Sequence, residues 1–294
     1  MEVVQDMAGR KEDMALRGAT GLEGGLVARG STCGVVTGGS LGMALARIDE
    51  IEAGGEAAQR MIMEEVRDYV HWFRDSFGTT LCRERTGVDF YTLSGQLRYL
   101  LPGDRFSRCM WHIGKTASHV KQRIAGTRPP IGGQADATDH ARHCAAEVLR
   151  GVRKACGTGD DVLEKIAFVL DGGVGFTGGV CGALAGAVMA ANVAYGWDMR
   201  SMNIPRTIKE FVVGHLNLLR KKKASSRETF AIGRQILASL DGKAGSLDCA
   251  SITGKTFVGW DDFQAHMRAS TACRELIEQA TRVSSEAITR YRPL

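Results

Sequence analysis

The chain has 294 residues, 44% hydrophobic, 24% charged and only 6% aromatic, and its 38 basic against 33 acidic residues leave a net charge of +5. That length suffices for two ordinary domains with their own cores and no cross-links, and so mild a charge does not imply nucleic-acid binding. The 37 glycines and 5 prolines, among many alanines and leucines, lean towards close-packed helices, and no run of about 18 uncharged apolar residues is present for membrane insertion.

Residues 1–25 carry scattered charges and no continuous apolar stretch of the kind a signal peptide uses, so a cytoplasmic location is expected. Eight cysteines in a reducing compartment need a reason other than structural disulfides: metal ligation, redox chemistry or plain burial. The absence of any CxxC excludes a thioredoxin motif, c-type haem attachment and ordinary zinc-ribbon spacing.

In chain order, the first signal is residues 22–38, which read GGxxxxGxxCGxxxG with the cysteine at Cys33. The glycines allow a tight turn, and the small residues after the cysteine read as a helix beginning there. A cysteine at a helix N-terminus meets unpaired amides and the positive end of the helix dipole, which is expected to lower its pKa and to favour a thiolate or sulfide. Gly34, Gly38, Gly42 and Ala46 recur every fourth residue and form a face against which another backbone can pack. Residues 57–77, apolar at Met61, Val66, Val70, Phe73 and Phe77, predict a helix, and Cys82 and Cys109 follow it. Glycine and proline in residues 125–133 mark a turn, so 125–136 is taken as a linker after a first module of residues 1–124.

Residues 137–154 predict a helix carrying Cys144, with His140 and His143 three apart, either as metal ligands or on a solvated face. Cys156 has no counterpart earlier in the chain and reads as incidental. Residues 170–186 then repeat GGxxxxGxxCGxxxG without a gap around Cys181, at an offset of 181 − 33 = 148, which implies a tandem duplication. The same stretch superficially resembles a dinucleotide fingerprint, but no βαβ context accompanies it. Gly182, Gly186 and Ala190 repeat the small face, and residues 204–223 form an amphipathic insertion with a basic end, read as a core helix or a docking helix. Residues 230–240 predict a helix before Cys249 and Cys273, whose separation (273 − 249 = 24) is close to that of Cys82 and Cys109 (109 − 82 = 27). The counterpart of Cys144 would fall at 144 − 148 = −4, so the first module is expected to start without its opening helix and first cysteine, through gene loss, a misassigned start or a trimmed chain. His71, His112, His119, His215 and His266 show no metal spacing.

The second module, residues 137–294, resembles a cysteine-rich redox-active family with the order Cys, CGAxxG, Cys, Cys, related to part of split-Soret cytochrome. Cys144, Cys181 to Gly186, Cys249 and Cys273 carry the likeness, supported by Gly172 and Gly173. The first copy departs from it, with Val35 where alanine is expected. The resemblance implies a thiolate-held centre, and four thiolates suit a 4Fe-4S or 2Fe-2S cluster or zinc, with Gly172, Gly173 and Gly182 shaping the site. Thiol-disulfide exchange by Cys181 with Cys273, or buried cysteines in an interaction module, are the other readings. Cys33, Cys82 and Cys109 offer three sulfurs, either a degenerate site or a cluster with an open iron. The expected protein is all-α, two pseudo-equivalent modules about an approximate two-fold axis, a monomer or homodimer exchanging electrons with an unidentified redox partner protein.

Overall fold

The computed structural model describes residues 1–101, 103–126, 141–197, 199–219 and 229–291, and among them the chain is all-α, its only extended pairings being two isolated antiparallel bridges. The first half begins with two short helices, α1 (Glu2–Met7) and α2 (Asp13–Ala19). A glycine-rich turn leads into α3 (Gly34–Ala46), then α4 (Ile48–Phe77), α5 (Cys82–Thr86), α6 (Leu93–Leu100) and α7 (Asp104–Ala125). The second half runs α8 (Cys144–Cys156), α9 (Asp161–Ile166), α10 (Gly182–Tyr195), α11 (Ile204–Leu218), α12 (Thr229–Ala244), α13 (Cys249–Thr253), α14 (Trp260–Ala269) and α15 (Thr271–Tyr291).

Three expectations change. The helix predicted over 57–77 begins at Ile48 and continues across a break at Gly55, where φ of 52° lies outside the helical range. Cys144 opens α8 rather than lying within a helix from 137; residues 141–143 are not helical and 137–140 lie outside the described residues. The first half does have an opening helix: α1 packs on α3 as α8 packs on α10, with Val4 against Gly42 and Ala145 against Gly186. At the repeat offset α1 (Glu2–Met7) corresponds to residues 150–155, the latter part of α8.

The linker expected over 125–136 falls mostly outside the described residues, with Ala125 ending α7 and Gly126 following it. One buried core runs through both halves, from Ile62 and Phe73 on α4 to Leu184 and Val188 on α10 and Ile236 on α12. The contacts between halves are reciprocal. Val27 of the first glycine-rich turn packs on Gly233 of α12, while Gly175 of the second packs on Val66 of α4. These are matching positions, since 175 − 27 = 148 and 233 − 66 equals 249 − 82 = 167.

Each of those turns is left-handed. Gly24, Gly25, Leu26, Val27 and Ala28 all have positive φ, as do Gly172, Gly173, Val174, Gly175 and Phe176. The hydrogen bonds repeat too: Val27 N–H donates to Gly21 O at 2.9 Å and Gly175 N–H to Val169 O at 3.0 Å. An L-residue in this conformation costs about 1–2 kcal/mol. Leu26, Val27, Val174 and Phe176 are nevertheless almost wholly buried, and burying such side chains contributes about 1.5–3 kcal/mol each, so packing outweighs the strain.

Candidate functional site

In the second half the turn delivers Cys181 to the N-cap position of α10. The bridge between Val180 and Asp248 then ties it to the segment before Cys249: Cys181 N–H donates to Leu247 O at 2.8 Å, and Cys249 N–H to Gly179 O at 2.6 Å. Cys144 is set by a carboxylate, its N–H donating to Asp171 Oδ1 at 2.9 Å. Asp171 is itself fully buried and paired at 2.7 Å with His143 Nδ1, whose Nε2 faces Gln59 Oε1 at 3.1 Å. Cys273 comes from the first turn of α15, with its N–H on Ser270 Oγ at 3.2 Å and its Sγ 3.5 Å from His266 Nε2.

Four segments distant in sequence thus bring Cys144, Cys181, Cys249 and Cys273 around one small cavity of about 10 Å3, closed by Phe257, Phe263 and Met267. Cys144 Sγ lies 3.6 Å from Met267 Sδ. Gly172, Gly173 and Gly182 do not line this space. They let backbone pass: a Cβ on Gly182 would stand 3.0 Å from Cys144 Cβ and 3.1 Å from Leu170 O. His143 orients Asp171 instead of occupying a solvated helix face, His140 lies outside the described residues, and Cys156 bonds Val152 O at 3.2 Å, away from the site.

The electrostatics reverse one expectation. The amides of Leu184 and Ala183 at the start of α10 do lower the Cys181 pKa, but burial outweighs them and pushes it up to about 11. Burial also pushes Cys144 and Cys249 well above the ordinary thiol range, and the neighbouring cysteines and Asp171 add to the shift. Removing a charged sulfur from water costs more than the end of one helix returns.

In the first half, Cys33 caps α3 and Cys82 opens α5, joined by the equivalent bridge between Thr32 and Leu81. Cys33 N–H donates to Thr80 O and Cys82 N–H to Ser31 O, both at 2.8 Å. Cys33, Cys82 and Cys109 line a much larger cavity of about 360 Å3, which α11 of the second half covers. The insertion expected over 204–223 is therefore a lid on the other module's cysteines: Phe211 and Leu218 pack with Cys82, Phe90 and Tyr99, while Ile208, Val212 and Leu216 stay exposed. Its basic end, 220–223, lies outside the described residues. Burial again pushes Cys82 and Cys109 up.

Residue-by-residue comparison of the repeats would have exposed groups missed from the motif alone. Asp171 corresponds to Glu23 (171 − 23 = 148), an acidic residue directly before the paired glycines in both copies. Among the described residues, no group of three or more cysteine, histidine or acidic side chains stands at metal-coordinating distance, and no helix is long and apolar enough to cross a membrane.

A family model described as "Putative redox-active protein (C_GCAxxG_C_C)" matches residues 1–122 and again 142–287, in agreement with a tandem duplication. Around Cys181 the chain departs from that printed motif, with Val180 before the cysteine and Gly182 between it and Ala183. No curated protein and no solved structure matches the chain.

Proposed function

Because the chain belongs to this redox-active family in both of its halves, we propose that its second half holds an iron-sulfur cluster on Cys144, Cys181, Cys249 and Cys273 and exchanges electrons with a redox partner protein. One observation carries the reading: four sulfurs from four separate segments line one small cavity. The donor set suits the group, being all sulfur, with Asp171 held back by His143 and the Cys144 amide. Such a cluster supplies one-electron transfer when bound.

The residues present three further features that suit such a centre. Burial and mutual repulsion push these thiols up, a penalty that a bound cation reverses by stabilising thiolates. The Ala183 and Leu184 amides donate towards the Cys181 sulfur, and such hydrogen bonds tune a thiolate centre. Phe257, Phe263 and Met267 give the space apolar walls. Among the described residues no three of these sulfurs are grouped at metal-holding distance, so loading requires the cysteine side chains to draw inwards.

Zinc would use the same four thiolates without redox chemistry. Thiol exchange between Cys181 and Cys273 is disfavoured by a Cys181 thiol held near 11, because the thiolate is the attacking form. The test is anaerobic purification with iron, acid-labile sulfide and zinc measured beside the visible spectrum. Stoichiometric iron and sulfide with charge-transfer absorbance, both lost in Cys181→Ser, is the expected result. A colourless preparation that takes up neither on reconstitution overturns the proposal, and stoichiometric zinc in its place assigns a structural metal site.

A further inference from the structure

The first half carries a different device at its cysteines. Aligned through those cysteines (249 − 82 = 167 and 273 − 109 = 164), Ile252 and Leu276, which wall the four-cysteine cavity, become Arg85 and His112. Arg85 Nη1 donates to Cys33 Sγ at 2.9 Å, and Nη2 donates to His112 Nδ1. His112 is buried and held neutral, its pKa pushed down to about 4, first by burial and then by Arg85 and Arg108, so its ring nitrogen is free to accept. The guanidinium also lies over the ring of Phe73, 4.6 Å from its centre. A permanent cation is thereby fixed against one sulfur. It directs a charged N–H donor at that sulfur and repels a metal ion from the same atom.

That sulfur opens onto the cavity of about 360 Å3, whose walls include Phe90, Tyr99, Phe211 and Met202. Cys82 and Cys109 share the wall. Glu23 also faces the space, surrounded by protein yet reachable by solvent through the cavity, its carboxyl without a hydrogen-bond or ion-pair partner among the described residues. Burial pushes its pKa up, which makes an anionic guest unfavourable when it ionises and leaves a hydrogen-bond donor when it does not.

We propose that Cys33 is the chain's nucleophilic thiolate and that this cavity admits small, uncharged, apolar disulfides. In the step, the Cys33 sulfur attacks one sulfur of R–S–S–R, a protein–S–S–R bond forms as the substrate's S–S bond breaks, and the electron pair leaves on R–S⁻, which takes a proton from solvent. The substrate is the oxidant, and no other reagent enters. The inference does not depend on a cluster in the second half.

The test uses the full-length reduced protein and a substoichiometric amount of 4,4′-dithiodipyridine, following thiopyridone release by absorbance and the labelled cysteine by peptide mass mapping. Cys33 is only 6% exposed, so exposure alone would favour the less buried Cys156. The expected result is Cys33 labelled first, at least about tenfold faster than any other cysteine, with Arg85→Met removing that advantage. Gly214 on α11 lines the cavity, and a Cβ there meets nothing within 4 Å. Gly214→Leu should therefore slow dithiodipyridine at Cys33 and spare the much smaller methyl methanethiosulfonate. Labelling of Cys33 no faster than Cys156, an unchanged rate in Arg85→Met, or equal effects of Gly214→Leu on both reagents each overturn the proposal. Should Arg85→Met fail to fold, the native mapping and the Gly214→Leu pair decide it. Iron and sulfide content, unchanged in these variants, separates this outcome from that of the cluster reading.

Discussion

Replacing Gly173 by alanine tests whether the left-handed turn sets the position of Cys181. At φ of +81° the new side chain sits where L-residues are strained, at about 1–2 kcal/mol. Its Cβ would also fall within 3.0 Å of backbone atoms of Gly178 and Gly179. Those atoms cannot easily move, because Gly179 N–H donates to Gly173 O at 2.8 Å and Gly179 O accepts from Cys249 N–H at 2.6 Å. Overpacking against fixed atoms costs about 1–3 kcal/mol, giving about 2–5 kcal/mol in all for Gly173→Ala. Gly157 is the control: its φ is +69°, but nothing lies within 4 Å of its Cβ position, so Gly157→Ala carries the strain alone. Urea denaturation followed by far-UV circular dichroism should place the Gly173→Ala midpoint below that of Gly157→Ala by about 0.5 M or more, taking about 2 kcal/mol per molar urea. Gly25→Ala, whose Cβ would meet the backbone of Ser31 and Gly30 in the matching way, should fall beside Gly173→Ala. Coincident midpoints for Gly157→Ala and Gly173→Ala would refute the reasoning, since the turn would then have yielded.

Thr32→Val leaves the buried Val180 N–H without its acceptor, 2.8 Å away in the native chain; a loss of about 1–3 kcal/mol is expected on denaturation, and a loss below about 0.5 kcal/mol would contradict it. Asp171→Asn keeps an oxygen for the Cys144 amide but removes a negative charge that raises the Cys144, Cys181 and Cys249 thiols. The pH midpoint for alkylation of Cys181 in metal-free protein should therefore drop below about 11, and an unchanged or higher midpoint argues against the carboxylate. Burial holds His215 at about 4 in the folded chain against an ordinary 6.5, so between those values unfolding takes up a proton and stability falls with falling pH. The native midpoint should drop from pH 7 to pH 5 by more than that of His215→Phe, which has no proton to take up; parallel drops would remove the linkage.

Much of the site was legible because backbone chemistry repeats visibly. Two glycines, a spaced third and a cysteine recur at one offset, and both copies form the same turn, bridge and capped helix. Other features were hidden by tertiary forces. Leu26, Val27 and Phe176 are residues that ordinarily avoid positive φ, and only the facing helices, α12 against Val27 and α4 against Gly175, hold the turns there. Helix N-termini suggested acidic thiols, but the sign for Cys181 follows its burial, which motif spacing does not report. Arg85 and His112 lay in unremarkable stretches, and their importance appears only when each is set beside the apolar residue it replaces in the other copy. The opening helix α1 is not legible from the cysteine pattern, since it carries no cysteine and is marked by packing alone, Val4 against Gly42.

The bond from the Val180 amide to the Thr32 hydroxyl joins the residues immediately preceding Cys181 and Cys33. The Ser31 hydroxyl on Asp248 Oδ1 ties the same two bridged segments a second time, so the caps of the two copies are fastened to each other and not only to their own helices. A displacement of one cap that strained these bonds would bear equally on the other, because any coupling free energy between two positions is reciprocal.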